Sequence, residues 1–535
     1  MFKSTTTGNR KFSLKPDSRF FNDTKESTGK DEDPQYLMSC KEIAKAVLES
    51  EKSSRNVITI KSIFKTIKSK SSELNLKKIP KNSDILRFLP SESRCKKLLK
   101  SKPSKTSSGI AVITVLPMPF ECPHGKCIYC PGGIEVNTPL SYVGTEPATR
   151  IAQDLNYDPF SQVTSKLHHL NQRGHPIEKA ELVIVGGTFP FYPKTYQYNF
   201  VKGCFDAFNC WGTVTKKNQQ QQQEGPFLQK PSKDTEIQDY VTYNRTFTKD
   251  IGKNSSKSSN AVDTSSVFRE SLETSKKLNE KSTIRCVGLT IETKPDYCKK
   301  EHVDTMLELG ATRIEIGVQA LSERVYKAVN RGHSLSDVYD AFQIAKDCGY
   351  KIVAHMMPGL PKSSLEEDVN DFKTLFEDER LKPDMIKIYP TLVLKNTGLY
   401  KMYTEKKYNP YSTEDLVKIL VEMKKIIPYW ARIMRIQREI EPTNIVAGPR
   451  LGNLRQMVSR ELAKQGISCR CIRCREIGLI NPHKPFSVSK DIILHRDEYY
   501  SSHGKEIFLS FETKDRKIIF GFLRLRILSN PMRKE

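Results

Sequence analysis

The sequence predicts an α/β chain whose centre is six strand–helix units, either an incomplete (β/α)6 barrel or an open doubly wound sheet. Two observations predict it. Six short apolar runs recur, at Ala111–Leu116, Glu181–Val185, Arg285–Ile291, Arg313–Val318, Lys351–Met357 and Met385–Tyr389. Helical periodicity lies between them near 150–172, 296–309, 335–348 and 364–378. Strands separated by segments of helix length pair in parallel through crossovers. Eight such units would close a full barrel. In both architectures the chemistry collects at the carboxyl ends of the strands.

The elements can be justified in chain order. Residues 1–35 are polar and read as a disordered basic tail. Residues 36–105 read as a basic helical module. Ile43, Val47 and Leu48 recur at helical spacing there, as do Ile60, Ile63, Phe64 and Ile67, while Lys61, Lys65 and Lys68 share one helical face. The strand–helix region spans 106–411. A stretch at 212–283, through Gln219–Gln223 and Asn254–Asn260, interrupts it with a composition that cannot bury a core. It reads as a flexible polar insertion, either without function or making an accessory contact with a partner. Residues 412–505 read as helices with a cysteine-rich loop. Phe508–Glu512 and Ile518–Leu525 read as two strands joined by a turn at Thr513–Arg516.

Composition narrows the partners. Lys+Arg is 87 against Asp+Glu 62, a net +25, and +13 of this lies in residues 1–105. An excess of this size argues for a polyanion, either nucleic acid or an acidic membrane surface. Met1–Lys30 holds no apolar signal core, and no run of 18 apolar residues exists to span a membrane. Of 13 cysteines, six fall in two tight clusters. A reducing, cytoplasmic setting in which cysteines bind metal is expected.

The first cluster is Cys122, Cys127 and Cys130 in CPHGKCIYC, just after the first strand. Two readings are open. Structural zinc wants four closed ligands, and His124 could be the fourth. A [4Fe–4S] cluster is held by thiolates, and three close ones leave one iron free for a non-protein ligand. With Tyr129 before its last cysteine, the motif resembles the radical S-adenosylmethionine (SAM) superfamily, although its C-x4-C-x2-C spacing is one residue longer than usual. There the amino and carboxylate groups of SAM chelate the open iron, and reductive cleavage gives a 5′-deoxyadenosyl radical. Gly186, Gly187 and Thr188 end the second strand, where the superfamily binds the SAM amino group. Glu292, Glu315 and Gln319 end the next two strands and are candidate SAM contacts; ion pairing with barrel lysines is the competing reading for the acids.

A closer resemblance rests on an ordered series: TSSGIAVITV (106–115), CPHGKCIYCPGG, YDPF, VGGTF, GLTIETKPDYC, TRIEIGVQ, NRGHS, VAHMMPGLP, KIYPTLV and GNLR. It resembles the Elongator catalytic subunits, the tRNA wobble-uridine acetyltransferases or tRNA carboxymethyluridine synthases; the short CPHGKC spacing is similar to that of archaeal and bacterial members. The resemblance implies an acyltransferase. Its deoxyadenosyl radical takes hydrogen from the methyl group of acetyl-CoA, and the carbon radical attacks C5 of the wobble uridine. Loss of CoA by hydrolysis leaves a carboxymethyl group. Lys179 matches a position that contacts acetyl-CoA. Cys469, Cys471 and Cys474 resemble the family's zinc loop, with His483 or His495 as a candidate fourth ligand and a second iron–sulfur cluster as the minority reading. Charge and family together imply tRNA contacts at Lys61, Lys65, Lys68, Lys96, Lys97 and Lys100. A homodimer or Elongator-type subunits are the implied protein partners, and no membrane is.

The family continues into a GNAT-type acetyltransferase domain, whose Gly-rich loop is not found after Ile507, where only Gly521 remains. An incomplete C-terminal GNAT-like α+β domain, starting near 506, is therefore expected. Two further readings stand beside the enzyme: a tRNA-binding protein that has lost the modification chemistry, and another radical SAM enzyme with a small-molecule substrate.

Overall fold

The computed structural model describes residues 34–53, 58–90, 92–220, 265–480 and 492–529. The expected tail at 1–35 lies almost wholly outside them, as do 221–264 of the insertion. The described residues fall into two compact units, one built on residues up to Ser101 and one holding nearly all of the rest.

The first unit is helical, with helices at Pro34–Ser53, Ile60–Glu73, Asn82–Leu86 and Arg94–Leu99. Thr59 and Ser62 start the second helix with a reciprocal capping box. Cys40, Ile43, Val47, Ile63, Ile67, Ile85, Cys95 and Leu99 form its core. Phe64 departs from the sequence reading: it is 46% exposed, because the buried stripe runs through Ile63, Ile67 and Ser71 instead.

The second unit is built on a seven-stranded sheet in the order β1-β2-β3-β4-β5-β6-β8, every neighbouring pair parallel. The first six strands are β1 (Ala111–Val115), β2 (Lys179–Ile184), β3 (Arg285–Thr293), β4 (Arg313–Gln319), β5 (Lys351–Met356) and β6 (Met385–Ile388). β7 (Val393–Leu394) and β9 (Ile445–Ala447) form a small separate ribbon. β8 (Arg432–Arg435) adds a seventh strand beside β6, in a region whose sequence reads as helical. It is four residues of RIMR and carries too little periodicity to be told from a helix end. The half-barrel is thus one strand longer than six units. Crossover helices, among them Pro159–Gln172, Lys300–Leu309, Leu335–Asp347 and Leu365–Glu377, cover it. Ser334 and Ser364 cap the last two by accepting from backbone N–H groups.

Part of the expected insertion is ordered into the core. Ser265–Asn279 is a helix with Leu272 fully buried and Asn279 bonded to the backbone of Ile284 and Cys286. Its apolar positions are sparse in sequence, so composition hides it. The chain also has a three-stranded antiparallel sheet, β10 (Ile492–Ser501), β11 (Gly504–Thr513) and β12 (Ile519–Leu528). The sequence predicts only two strands there, because His495, Arg496, Asp497 and Glu498 mask the alternation of β10. Among the described residues no helix is long and apolar enough to cross a membrane.

Leu272 gives a direct test of that ordered helix. Leu272→Ala should lower stability by about 2–5 kcal/mol, the usual cost of a buried leucine cavity, read by urea unfolding followed by circular dichroism. A change under about 0.5 kcal/mol, the surface range, would place the helix outside the core.

Candidate active site

Sequential parallel pairing sends the carboxyl ends of β1 to β6 to one rim. The loop after β1 carries Cys122, Cys127 and Cys130. The cysteine at 127 is buried and the other two are partly exposed. Thr188 Oγ1, from the loop after β2, lies 4.0 Å from Cys122 Sγ. Cys127 Sγ meets His124 Nε2 at 3.1 Å and Arg331 Nη1 at 3.7 Å. Hydrogen bonding from Cys130 holds the Cys127 thiol well below its ordinary range, and His124 and Arg331 add to this against the effect of burial. Burial pushes Cys122 up, and Cys130 is raised chiefly by its bond with Cys127.

Gly186 and Gly187 have φ of +130° and +137°, a backbone that L side chains rarely adopt. Nothing occupies the space a Cβ would fill at Gly187, so a ligand can approach the backbone there. Gly186 N–H donates to Glu292 Oε2 at 3.0 Å. Glu292 and Glu315 are register partners across β3 and β4, and His355 and Lys387 across β5 and β6. Glu315 is 1% exposed and accepts from His355 Nε2 at 2.8 Å and from Lys387 Nζ. Burial alone would raise its carboxyl; Lys387 and His355 outweigh that and hold it far below the usual range. Glu292, Glu315 and His355 bring ligand atoms within 4.8 Å of one another. Glu315 Oε1, Gln319 Oε1 and Tyr129 Oη are buried without a partner.

These observations fit the group a radical SAM site holds. One thiolate is already favoured, and cationic or N–H groups face it. Buried polar atoms without partners are present on Glu315, Gln319 and Tyr129, and the backbone at Gly187 is open. Among the described residues, two groups have three ligand atoms all within 4.8 Å, and the Cys122 loop is not one of them. His124 is a donor to Cys127 rather than a fourth metal ligand, because Lys294 engages its other ring nitrogen.

The second triad is different. Cys469, Cys471 and Cys474 hold their sulfurs within 4.8 Å of one another, as one metal ion requires. Lys424 Nζ lies 3.9 Å from Cys474 Sγ. His483 lies outside the described residues. His495 does not join the triad; its ring meets the Thr513 carbonyl at 3.4 Å within the antiparallel sheet.

The remaining sequence candidates scatter. Lys179 is exposed and begins β2, at the end of the strand opposite Gly186. Lys61, Lys65 and Lys68 are exposed on the helix face away from Ile63 and Ile67. Lys97 is exposed, Lys96 donates to the Leu89 carbonyl at 3.3 Å, and Lys100 is partly buried, which lowers its pKa. Sequence reasoning missed Lys294, Arg331, His355 and Lys387. Each stands at or just after a strand or helix end, but only the sheet register and the loop packing bring them to the site.

Comparison with known proteins agrees. The Radical SAM superfamily matches residues 263–375, the Radical_SAM C-terminal domain 383–464 and the ELP3 N-terminal domain 36–107. Fold and site thus define a radical SAM protein, a class that implies SAM and a [4Fe–4S] cluster. A tRNA uridine(34) acetyltransferase of Methanocaldococcus infernus is 39% identical over 462 residues, covering 85% of this chain and 76% of the relative. The Elongator complex protein 3 of Homo sapiens is 34% identical over 504 residues, covering 92% and 80%. The solved structure of the archaeal Methanocaldococcus infernus Elp3, with an N-terminal deletion, superposes with a TM-score of 0.61 at 36% identity over 80% of each chain. The chain belongs to the Elongator complex protein 3 family of tRNA uridine(34) acetyltransferases.

Gly186→Ala tests the glycine backbone. The substitution meets Pro139 Cβ at 3.3 Å and an unfavourable φ, a strain of about 1–3 kcal/mol. SAM affinity should fall by about tenfold or more at unchanged iron content, measured by calorimetry on anaerobic protein. Unchanged affinity would remove this turn from the SAM site.

Proposed function

We propose that this chain carboxymethylates C5 of the wobble uridine of tRNA, using acetyl-CoA and radical SAM chemistry. One observation carries the reading: a three-thiol loop stands beside an open glycine backbone on the rim of a parallel half-barrel, in a chain of this family. Cys122, Cys127 and Cys130 would hold the cluster, which supplies one-electron reduction when bound. Gly186, Gly187 and Thr188 would receive the amino end of SAM along open backbone. Glu292 shapes that turn through the Gly186 N–H, and Gln319 offers an acceptor with no other partner. Glu315 is committed to Lys387 and His355; its free oxygen remains for a ligand donor, and its larger part is to fix those two side chains in the lumen.

Lys179 would pair with CoA phosphates as a point charge. At the far end of β2, it suits the phosphate end of an extended cofactor rather than the acetyl group. Cys469, Cys471 and Cys474 would hold zinc, with buried Lys424 offsetting thiolate charge. The exposed Lys61, Lys65, Lys68 and Lys97 would contact tRNA phosphates.

Anaerobic reconstitution tests the reaction. The chain should release 5′-deoxyadenosine when tRNA and acetyl-CoA are both present, and tRNA nucleosides should gain carboxymethyluridine by mass spectrometry. A filled cluster with no deoxyadenosine, alongside tRNA binding, would leave only a binding role. Deoxyadenosine release indifferent to tRNA would point to a small-molecule substrate. The lysines have a separate test. Replacing Lys61, Lys65 and Lys68 with Ala should reduce the slope of log affinity against log salt by about 1 for each phosphate that is no longer neutralised. An unchanged slope would remove this face from the tRNA site.

A further inference from the structure

The cysteine loop is seated on one short segment, Val329–His333, that follows the helix Glu323–Ala328. Ile128 N–H donates to the Val329 carbonyl at 3.2 Å. Asn330 Nδ2 donates to the Lys126 carbonyl at 3.0 Å. Arg331, 7% exposed, splits its guanidinium between the Gly317 carbonyl at 2.7 Å and Cys127 Sγ at 3.7 Å. Gly332, at φ +71°, lies so close to the His124 ring that a Cβ would fall 2.5 Å from His124 Cβ. Four consecutive residues therefore each fix a different part of the loop from 124 to 128.

The second contact to Cys127 has a defined direction. Lys294 Nζ lies 2.9 Å from His124 Nδ1 and 3.1 Å from Asp296 Oδ2. An ammonium only donates, so Nδ1 accepts and the ring proton sits on Nε2. His124 therefore donates Nε2–H to Cys127 Sγ. Besides its contact with Cys130, Cys127 thus receives two hydrogen bonds, one from Arg331 and one from His124 backed by Lys294, in a buried place where charge is weakly screened. Thr188 Oγ1 is the longer contact at Cys122, at 4.0 Å.

We propose that Arg331 and the Lys294–His124 pair are positioning residues that raise the reduction potential of the cluster through Cys127. This rests on the radical SAM reading of the three cysteines. Hydrogen bonds to ligand sulfur and nearby positive charge stabilise the reduced cluster, which carries one more negative charge, over the oxidised one. The electron that cleaves SAM must first reach the cluster, so the collar governs how readily a reductant loads it.

The test is an anaerobic redox titration of the full chain, followed by the electron paramagnetic resonance signal of the reduced cluster, with iron counted per chain. His124→Phe and Lys294→Met should keep the iron and shift the potential to more negative values. Arg331→Gln should shift it in the same direction, and Arg331→Lys less. Lys327→Met, on the exposed side of the preceding helix, should not move it. If Arg331→Gln holds no iron, His124→Phe and Lys294→Met decide the question. Full iron with the unaltered protein's potential in both would overturn the proposal. An unaltered chain that binds no iron–sulfur cluster would instead overturn the reading beneath it.

Discussion

Parallel pairing in chain order is the constraint on which the site depends. Because β1 to β6 neighbour one another in sequence order, each strand end delivers its loop to the same rim. The cysteine loop, the Gly186–Thr188 turn, Glu292, Glu315, His355 and Lys387 come from β1 to β6 in turn. A one-residue slip in any strand would turn these polar side chains to the helix-covered face. The strands resist that slip because Ile113, Leu182, Ile291, Ile314, Ile352 and Ile386 are all fully buried.

Several of the buried charges among the described residues are paired. Glu315 sits between Lys387 and His355 in the lumen. Under the antiparallel sheet, Arg475 meets Glu512 at 2.5 Å and Arg526 meets Asp347 at 2.7 Å. Arg524 meets Asp384 at 3.1 Å. Removing one member of such a pair strands the other, at a cost of about 3–5 kcal/mol. Around Cys127 the pattern changes: the cationic groups face a sulfur. The same electrostatics that lock the C-terminal sheet onto the barrel are there turned toward a buried thiol.

Much of the fold is legible in the sequence because parallel strands covered on both faces read as apolar runs. All six expected strands are present in order, and the expected fold class holds. The misses share a cause. β8 is too short to show a period, β10 carries charge that masks its alternation, and the helix Ser265–Asn279 sits in polar company. At the site, cysteine spacing and the Gly-Gly turn are local signals and are readable. Arg331 and Lys294 act on Cys127 and His124 from 204 and 170 residues away in the chain, and no local pattern announces such a contact. The lysines show the opposite limit: Lys61, Lys65 and Lys68 share an exposed face as the helical period requires, whereas Lys96 is spent on a backbone carbonyl.

The central claim is that the Cys122, Cys127 and Cys130 loop holds a four-iron cluster with one iron open to SAM. Mössbauer spectroscopy of anaerobic, iron-57-loaded protein measures this most directly. Four irons per chain are expected, with one of the four changing its parameters when SAM is added and all four lost in Cys127→Ala. Iron that survives Cys127→Ala, or four irons that ignore SAM, would contradict the account.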